Sequence, residues 1–243
     1  MSEADTSREL VHEMRNELAV ARANLEGLVD GKLAPTKERL QGILQALAQL
    51  EALIQDIRDY PNAAGMPSRT AEINVCALLE REYRSLEPVA RARGVSVSVD
   101  RCPVPAQQCL HFYGDPTRIG QIVKNLLINA IRYTPRGGAV SVECARRDGQ
   151  LEVRVADTGP GIPQSEREKV FEPGFRGAAS AGTPGGGFGL AVVKQLVDEH
   201  GGTIALTGAK PHGAVFTVRL PGTMAGAPDS CAGCALAQDQ APR

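Results

Sequence analysis

Apolar residues in the first sixty positions recur at alternating three- and four-residue steps. The first set is Val11, Met14, Leu18, Ala21, Leu25 and Leu28; the second is Leu40, Ile43, Leu47, Leu50, Ile54 and Ile57. At helical periodicity each set falls on one stripe, which predicts two amphipathic helices. Asp30, Gly31 and Pro35 interrupt the rhythm, and Thr36 is placed to cap the second helix. So short a break makes an antiparallel hairpin. Leu44 and Leu53 broaden the second stripe beyond what two helices can bury. The expected solution is a homodimer, with residues 1–60 of two chains forming a four-helix bundle. The alternative is a hairpin packed on the rest of its own chain.

Pro61 to Ser68, with Asn62, Gly65 and Pro67, reads as a linker, assigned to 61–70. Beyond it the pattern mixes helix and strand. Helix is predicted over 77–93, and 95–99 alternates like a strand. Asp115 and Pro116 open a helix that runs to about Tyr133. Strands follow at 140–142 and 151–155, then a helix at 191–200 and strands at 203–206 and 214–220. The class is α+β: a sandwich with helices on one face of a sheet, over 71–222. After Pro221 the chain is rich in Gly, Ala and Pro, so 223–243 is expected to be a disordered tail.

Composition narrows the function. A chain of 243 residues has room for one or two domains. Its formal net charge of -1 gives no bulk attraction to nucleic acid or to an anionic membrane. No apolar run reaches bilayer length, and the first ten residues lack a signal-peptide core, so the expected location is the cytosol. Cys76, Cys102, Cys109, Cys144, Cys231 and Cys234 are expected to be reduced thiols there. Cys231 and Cys234 have metal- or redox-like spacing, although one such pair in a flexible tail is more often incidental.

Four motifs in the second domain carry chemistry. Asn125 and Asn129 lie four apart, on one helix face, followed by Arg132, Tyr133, Thr134 and Pro135. Carboxamide oxygens suit Mg²⁺; alone, the pair would read as surface asparagines. The second motif runs from Asp157 through Thr158, Gly159, Pro160 and Gly161 to Ile162 and Pro163. A carboxylate there can accept a hydrogen bond from an exocyclic amine, and alone it is only a turn. Phe171-Glu172-Pro173-Gly174-Phe175-Arg176-Gly177 is the third. The fourth, Gly185-Gly186-Gly187-Phe188-Gly189-Leu190, lets backbone N–H groups approach phosphates just before a helix. A lone glycine run is usually a flexible loop, but four motifs in this order are far rarer by chance than any one.

From Asp115 to Pro221 the sequence resembles the GHKL (Bergerat) ATP-binding domain shared by histidine kinases, gyrase, Hsp90-type chaperones and MutL-like proteins. The four segments match its N box, first glycine box, F box and second glycine box. Glu199-His200-Gly201-Gly202 and the strand from Phe216 to Pro221 match the histidine kinase version. The resemblance implies ATP and Mg²⁺ as cofactors, with Asn129 the principal metal ligand and Asn125 beside it. It also implies Arg132 near the phosphates, Tyr133 against adenine and Asp157 bonded to the adenine amine. Gly159, Gly161, Gly185, Gly187, Gly189 and Leu190 would line the nucleotide. Residues 164–186 would form a lid, with Arg176 a candidate γ-phosphate contact and Phe171 and Phe175 packing within it.

His12-Glu13-Met14-Arg15-Asn16 is similar to the family's H box, whose histidine accepts the phosphoryl group. His12 lies off the apolar seam, and an imidazole near its ordinary pKa of about 6.5 is substantially neutral and nucleophilic in the cell. A lone surface histidine is usually inert; this is the only one in the hairpin. By resemblance, Glu13 would hold one ring nitrogen, and the phosphoryl group would pass to an aspartate of a response regulator receiver domain. Asn16, one turn on, is either a water-orienting amide for dephosphorylation or a plain polar surface residue. Many relatives have proline where this chain has Glu17, so a straighter first helix is expected. Only eleven residues precede His12, so input is expected from an upstream sensor protein or the tail. His111, His200 and His212 read as structural. A gyrase-like ATPase, an anti-sigma-type serine kinase and a non-catalytic phosphotransfer scaffold are the competing readings. Asn125 stands where the first carries a glutamate base, the second lacks a histidine hairpin, and intact ATP motifs oppose the third.

Overall fold

The computed structural model describes residues 3–59, 70–99, 110–177, 180, 185–209 and 212–225; at 3–13, 49, 52–53, 55–59 and 224–225 it describes the backbone only. The expected linker over 61–68, Cys102, Cys109, Cys231, Cys234 and the chain from 226 onward lie outside the described residues, as do the side chains of His12 and Glu13.

Two helices, α1 (Glu3–Val29) and α2 (Lys37–Asp59), form the hairpin. α1 runs unbroken through Glu17. Thr36 Oγ1 accepts the Arg39 N–H at 3.3 Å, the predicted cap. The helices meet through small and branched residues: Ala21, Ile43 and Ala46 are buried. Most of the larger stripe is not. Leu18, Leu25, Leu40, Leu44, Leu47 and Ile54 stay exposed, Leu18 at 55% and Leu44 at 66%. One chain therefore closes only the narrow part of a seam the sequence made wide.

The second part begins with β1 (Ala71–Asn74) and α3 (Val75–Arg93). Asn74 caps α3 by accepting from Ala77 N, and Gly94 ends it in a left-handed conformation with φ 69°. Next come β2 (Ser96–Val99), β3 (His111–Gly114) and α4 (Pro116–Tyr133). Asp115 Oδ1 accepts from Thr117 N and Arg118 N, and Pro116 occupies the first turn, where its missing N–H costs nothing. β4 (Ala139–Arg147) and β5 (Gln150–Asp157) make a long hairpin; α5 (Gly189–Glu199), β6 (Thr203–Gly208), β7 (Ala214–Leu220) and β8 (Met224–Ala225) complete the order.

The main sheet runs β2-β4-β5-β7-β6, with β2 parallel to β4 and the other pairs antiparallel. Alternate residues of β4 (Val140, Val142, Cys144) are buried in a core shared with α3, α4 and α5. Leu126, Leu127, Val193 and Phe216 at its centre have no measurable exposure. This is the expected α+β sandwich. A second sheet, β1-β3-β8, went unpredicted. It also corrects the start of the tail: Met224 and Ala225 pair with Phe112 and His111 instead of leaving the domain at 223.

Candidate nucleotide-binding site

A cavity of about 230 Å³ opens between α4, the end of β5, the chain after it and the start of α5. α4 presents one face to it: Asn125, Ile128, Asn129, Arg132 and Tyr133. The opposite face of that amphipathic helix, with Leu126 and Leu127, is locked in the core, which fixes how the polar side points. Asn125 is 8% exposed, and its Nδ2 has no hydrogen-bond partner among the described residues. A buried amide without a partner costs free energy unless something polar enters beside it.

Asp157 lines the other side and is 6% exposed. Its Oδ1 accepts from Gly159 N at 2.8 Å and Ala214 N at 3.2 Å. Oδ2 has no protein partner among the described residues, so one carboxylate oxygen is left to the cavity. Burial pushes the Asp157 carboxyl above its usual range, and the two N–H groups oppose that only in part. His212 Nδ1 lies 3.1 Å from the Gly159 carbonyl, where it can donate, and so braces the same turn.

α5 starts at Gly189 without a side-chain cap, and Gly187, Gly189 and Leu190 line the cavity. Its first turn presents backbone N–H groups and the positive end of the helix dipole. Gly187 has φ 78°, and a Cβ there would come within 2.6 Å of the Phe175 carbonyl oxygen, so no other residue fits without displacement. Phe171 packs edge-on against Phe216, ring centroids 6.4 Å apart, anchoring its segment to the sheet.

Residues 114–224 match the model of the histidine kinase-, DNA gyrase B- and HSP90-like ATPase, and residues 3–63 match the His Kinase A (phospho-acceptor) domain. The chain is 35% identical over 221 residues to the signal transduction histidine-protein kinase/phosphatase MprB of Mycolicibacterium vanbaalenii, covering 87% of this chain and 45% of that protein. Among solved structures, a mycobacterial sensor histidine kinase MprB is 34% identical, with a TM-score of 0.51, covering 63% of this chain and 98% of that one. This chain belongs to the sensor histidine kinase family. The histidine kinase ThkA, solved in complex with the response regulator protein TrrA, is 25% identical, with a TM-score of 0.69 over 90% of this chain and 61% of that one. The histidine kinase AdeS of Acinetobacter baumannii, 22% identical with a TM-score of 0.66 over 87% of this chain and 98% of that one, shares the fold. The chain spans about 45% of the length of the curated MprB relative. Among the described residues, no helix is long and apolar enough to cross a membrane.

The cavity brings together most of the residues that the four sequence motifs single out. Asn125, Asn129, Arg132, Tyr133, Asp157, Gly161, Gly187, Gly189 and Leu190 all line it. Gly159 acts one step back, through its bond to Asp157, and Gly185 packs directly on the Arg132 guanidinium. Arg176 does not line the cavity; its Nη2 donates to the Ser180 carbonyl at 3.0 Å. Phe171 and Phe175, read as packing within the lid, do otherwise: Phe175 lines the cavity, and Phe171 packs on Phe216 of the main sheet. Asn16 lies exposed on α1, in the hairpin and away from the cavity. Sequence reasoning missed Ala214 and Glu166. Ala214 meets Asp157 across 57 residues through backbone pairing, which leaves no side-chain signature; Glu166 lines the cavity from a short 3₁₀ turn without a motif of its own.

Proposed function

We propose that this chain is the phosphoryl-transfer core of a two-component histidine kinase, which phosphorylates His12 from ATP and passes the group to an aspartate of a response regulator receiver domain. The observation that carries the reading is one cavity lined by Asn125, Asn129, Arg132 and Asp157 beside the uncapped start of α5. An anion-favouring helix end, a guanidinium and two carboxamides suit a triphosphate; a carboxylate with one oxygen free for a donor suits adenine.

The donor set also fits Mg²⁺. Carboxamide oxygens are hard ligands, while the buried Asn125 Nδ2, an N–H donor with no hydrogen-bond partner among the described residues, suits a phosphate oxygen instead of the ion. Asn129 would hold the ion with Asn125 beside it, and the ion would supply charge neutralisation on the phosphates. Asp157 Oδ2 accepts from the adenine amine, Tyr133 and Leu190 flank the base, and Arg132 balances phosphate charge. Arg176 reaches the γ-phosphate only by leaving the Ser180 carbonyl. The neutral His12 nitrogen attacks the γ-phosphorus in line, the bond to the ADP oxygen breaks, and Glu13 holds the proton-bearing ring nitrogen. Positioning and charge neutralisation supply most of the rate.

The exposed leucine stripe supports the homodimer, since a second copy of the hairpin would cover Leu18, Leu25, Leu40 and Leu44. Asn16, exposed one turn beyond His12, is proposed to orient water for dephosphorylation of the receiver; relatives named kinase/phosphatase favour this second activity. Label transfer tests phosphotransfer and receiver dephosphorylation together. Autophosphorylated protein, mixed with purified receiver domains, should lose label to a cognate one, and Asn16→Ala should keep that transfer yet fail to clear the receiver. Label that reaches no receiver would leave a nucleotide-binding protein without the proposed reaction.

A further inference from the structure

The first turn of α3 carries Cys76, and the middle of β4 carries Cys144. Their Sγ atoms lie 3.9 Å apart, although 68 positions separate them in the chain. Cys76 is half-buried, and Cys144 is 6% exposed. Both are thiols. Two sulfurs at van der Waals contact need an approach of about 2 Å to reach bonding distance, within the reach of side-chain rotation. The two positions differ in a useful way. Cys76 is the more accessible and sits at the N-terminal end of a 19-residue helix, whose partial positive charge favours an anionic sulfur. Cys144 lies behind it in the core, packed with Val142 and Val153.

We propose that Cys76 and Cys144 form a peroxide-oxidisable dithiol, with Cys76 the attacking sulfur and Cys144 the resolving one. The Cys76 thiolate attacks one oxygen of hydrogen peroxide, the O–O bond breaks, and Cys76 becomes a sulfenic acid with release of hydroxide. The Cys144 sulfur then attacks Cys76, the S–O bond breaks, and the hydroxyl leaves as water with the Cys144 proton. Two electrons pass from the sulfurs to the peroxide, and a thiol reductant reverses the bridge. The disulfide ties the corner where β1 meets α3 to the main sheet. It closes a loop that contains α4, the helix bearing Asn125 and Asn129. None of this requires the kinase reaction, so its failure and that of the proposed function are separable.

The test uses the full chain with Cys102, Cys109, Cys231 and Cys234 replaced by serine, and the unmutated chain mapped in parallel. Hydrogen peroxide should remove two hydrogens from the intact mass and yield a peptide pair linked through Cys76 and Cys144. The oxidised chain should melt higher than the reduced one, because the closed loop restricts the unfolded state, and dithiothreitol should reverse both changes. Cys76→Ser should show neither. Sulfinic acid accumulating on Cys76, or both cysteines remaining open to alkylation after peroxide in either chain, overturns the proposal.

Discussion

Replacing Asp157 by asparagine separates nucleotide binding from folding. Oδ1 of Asp157 takes both backbone N–H groups, from Gly159 at 2.8 Å and Ala214 at 3.2 Å. An asparagine oxygen can keep those two bonds. What changes is the other atom, which turns from an acceptor into an N–H donor aimed at a donating adenine amine. Losing a hydrogen bond to a charged acceptor costs about 1.5–3 kcal/mol, roughly a 10- to 150-fold weaker Kd. The fold should not suffer. Burial raises the Asp157 pKa, so above the ordinary carboxylate value the folded state holds this proton more tightly than the unfolded chain. Stability from this group is therefore greatest at low pH and falls as pH rises through the window up to the raised pKa. Above the raised pKa the buried charge opposes folding, and the neutral amide removes that opposition. Calorimetry with an ATP analogue and a melting curve on the same sample read both effects. Asp157→Asn should lose affinity with an unchanged or higher Tm. Unchanged affinity, or affinity and fold lost together, would refute the reasoning.

The same linkage predicts that wild-type adenine affinity declines on acidification, beginning above the usual carboxylate range, because the ionised Asp157 is the acceptor; titration calorimetry across acidic pH checks it, and a flat profile contradicts it. Asn129→Ala should abolish the gain in nucleotide affinity on adding Mg²⁺ while leaving metal-free binding nearly intact, measured as the ratio of the two Kd values. Leu18→Asp should turn a dimer into a folded monomer by light scattering. Leu18 is already 55% exposed in the single chain, so the charge is costly only where a second hairpin covers it, at about several kcal/mol.

The candidate site was legible as a cluster because its residues come in local groups whose spacing already encodes geometry. Asn125, Asn129 and Arg132 share a helix face by periodicity alone, and Gly187 betrays a backbone conformation closed to other residues. Elements held by distant pairing were not legible. β1 carries Glu72 and Asn74 in a four-residue stretch beside a proline- and glycine-rich segment, so nothing local marks it as a strand; β3 does so by pairing Ile73 with Phe112. Ala214 shows the same limit, since its contribution to Asp157 is an N–H group that any residue could supply. The hairpin lay between. Its period was readable, yet among the described side chains of the hairpin only Ala21, Ile43 and Ala46 are buried within one chain, because the leucine rows flanking them face outward.

The central claim is that ATP phosphorylates His12. Incubating the purified chain with γ-labelled ATP and Mg²⁺, beside His12→Gln, tests it most directly. Wild-type protein should take up label that is lost in acid and stable in alkali, as a phosphoramidate is, and His12→Gln should take up none while binding nucleotide normally. Acid-stable label, or label that persists in His12→Gln, would contradict the account and point to a hydroxyl acceptor.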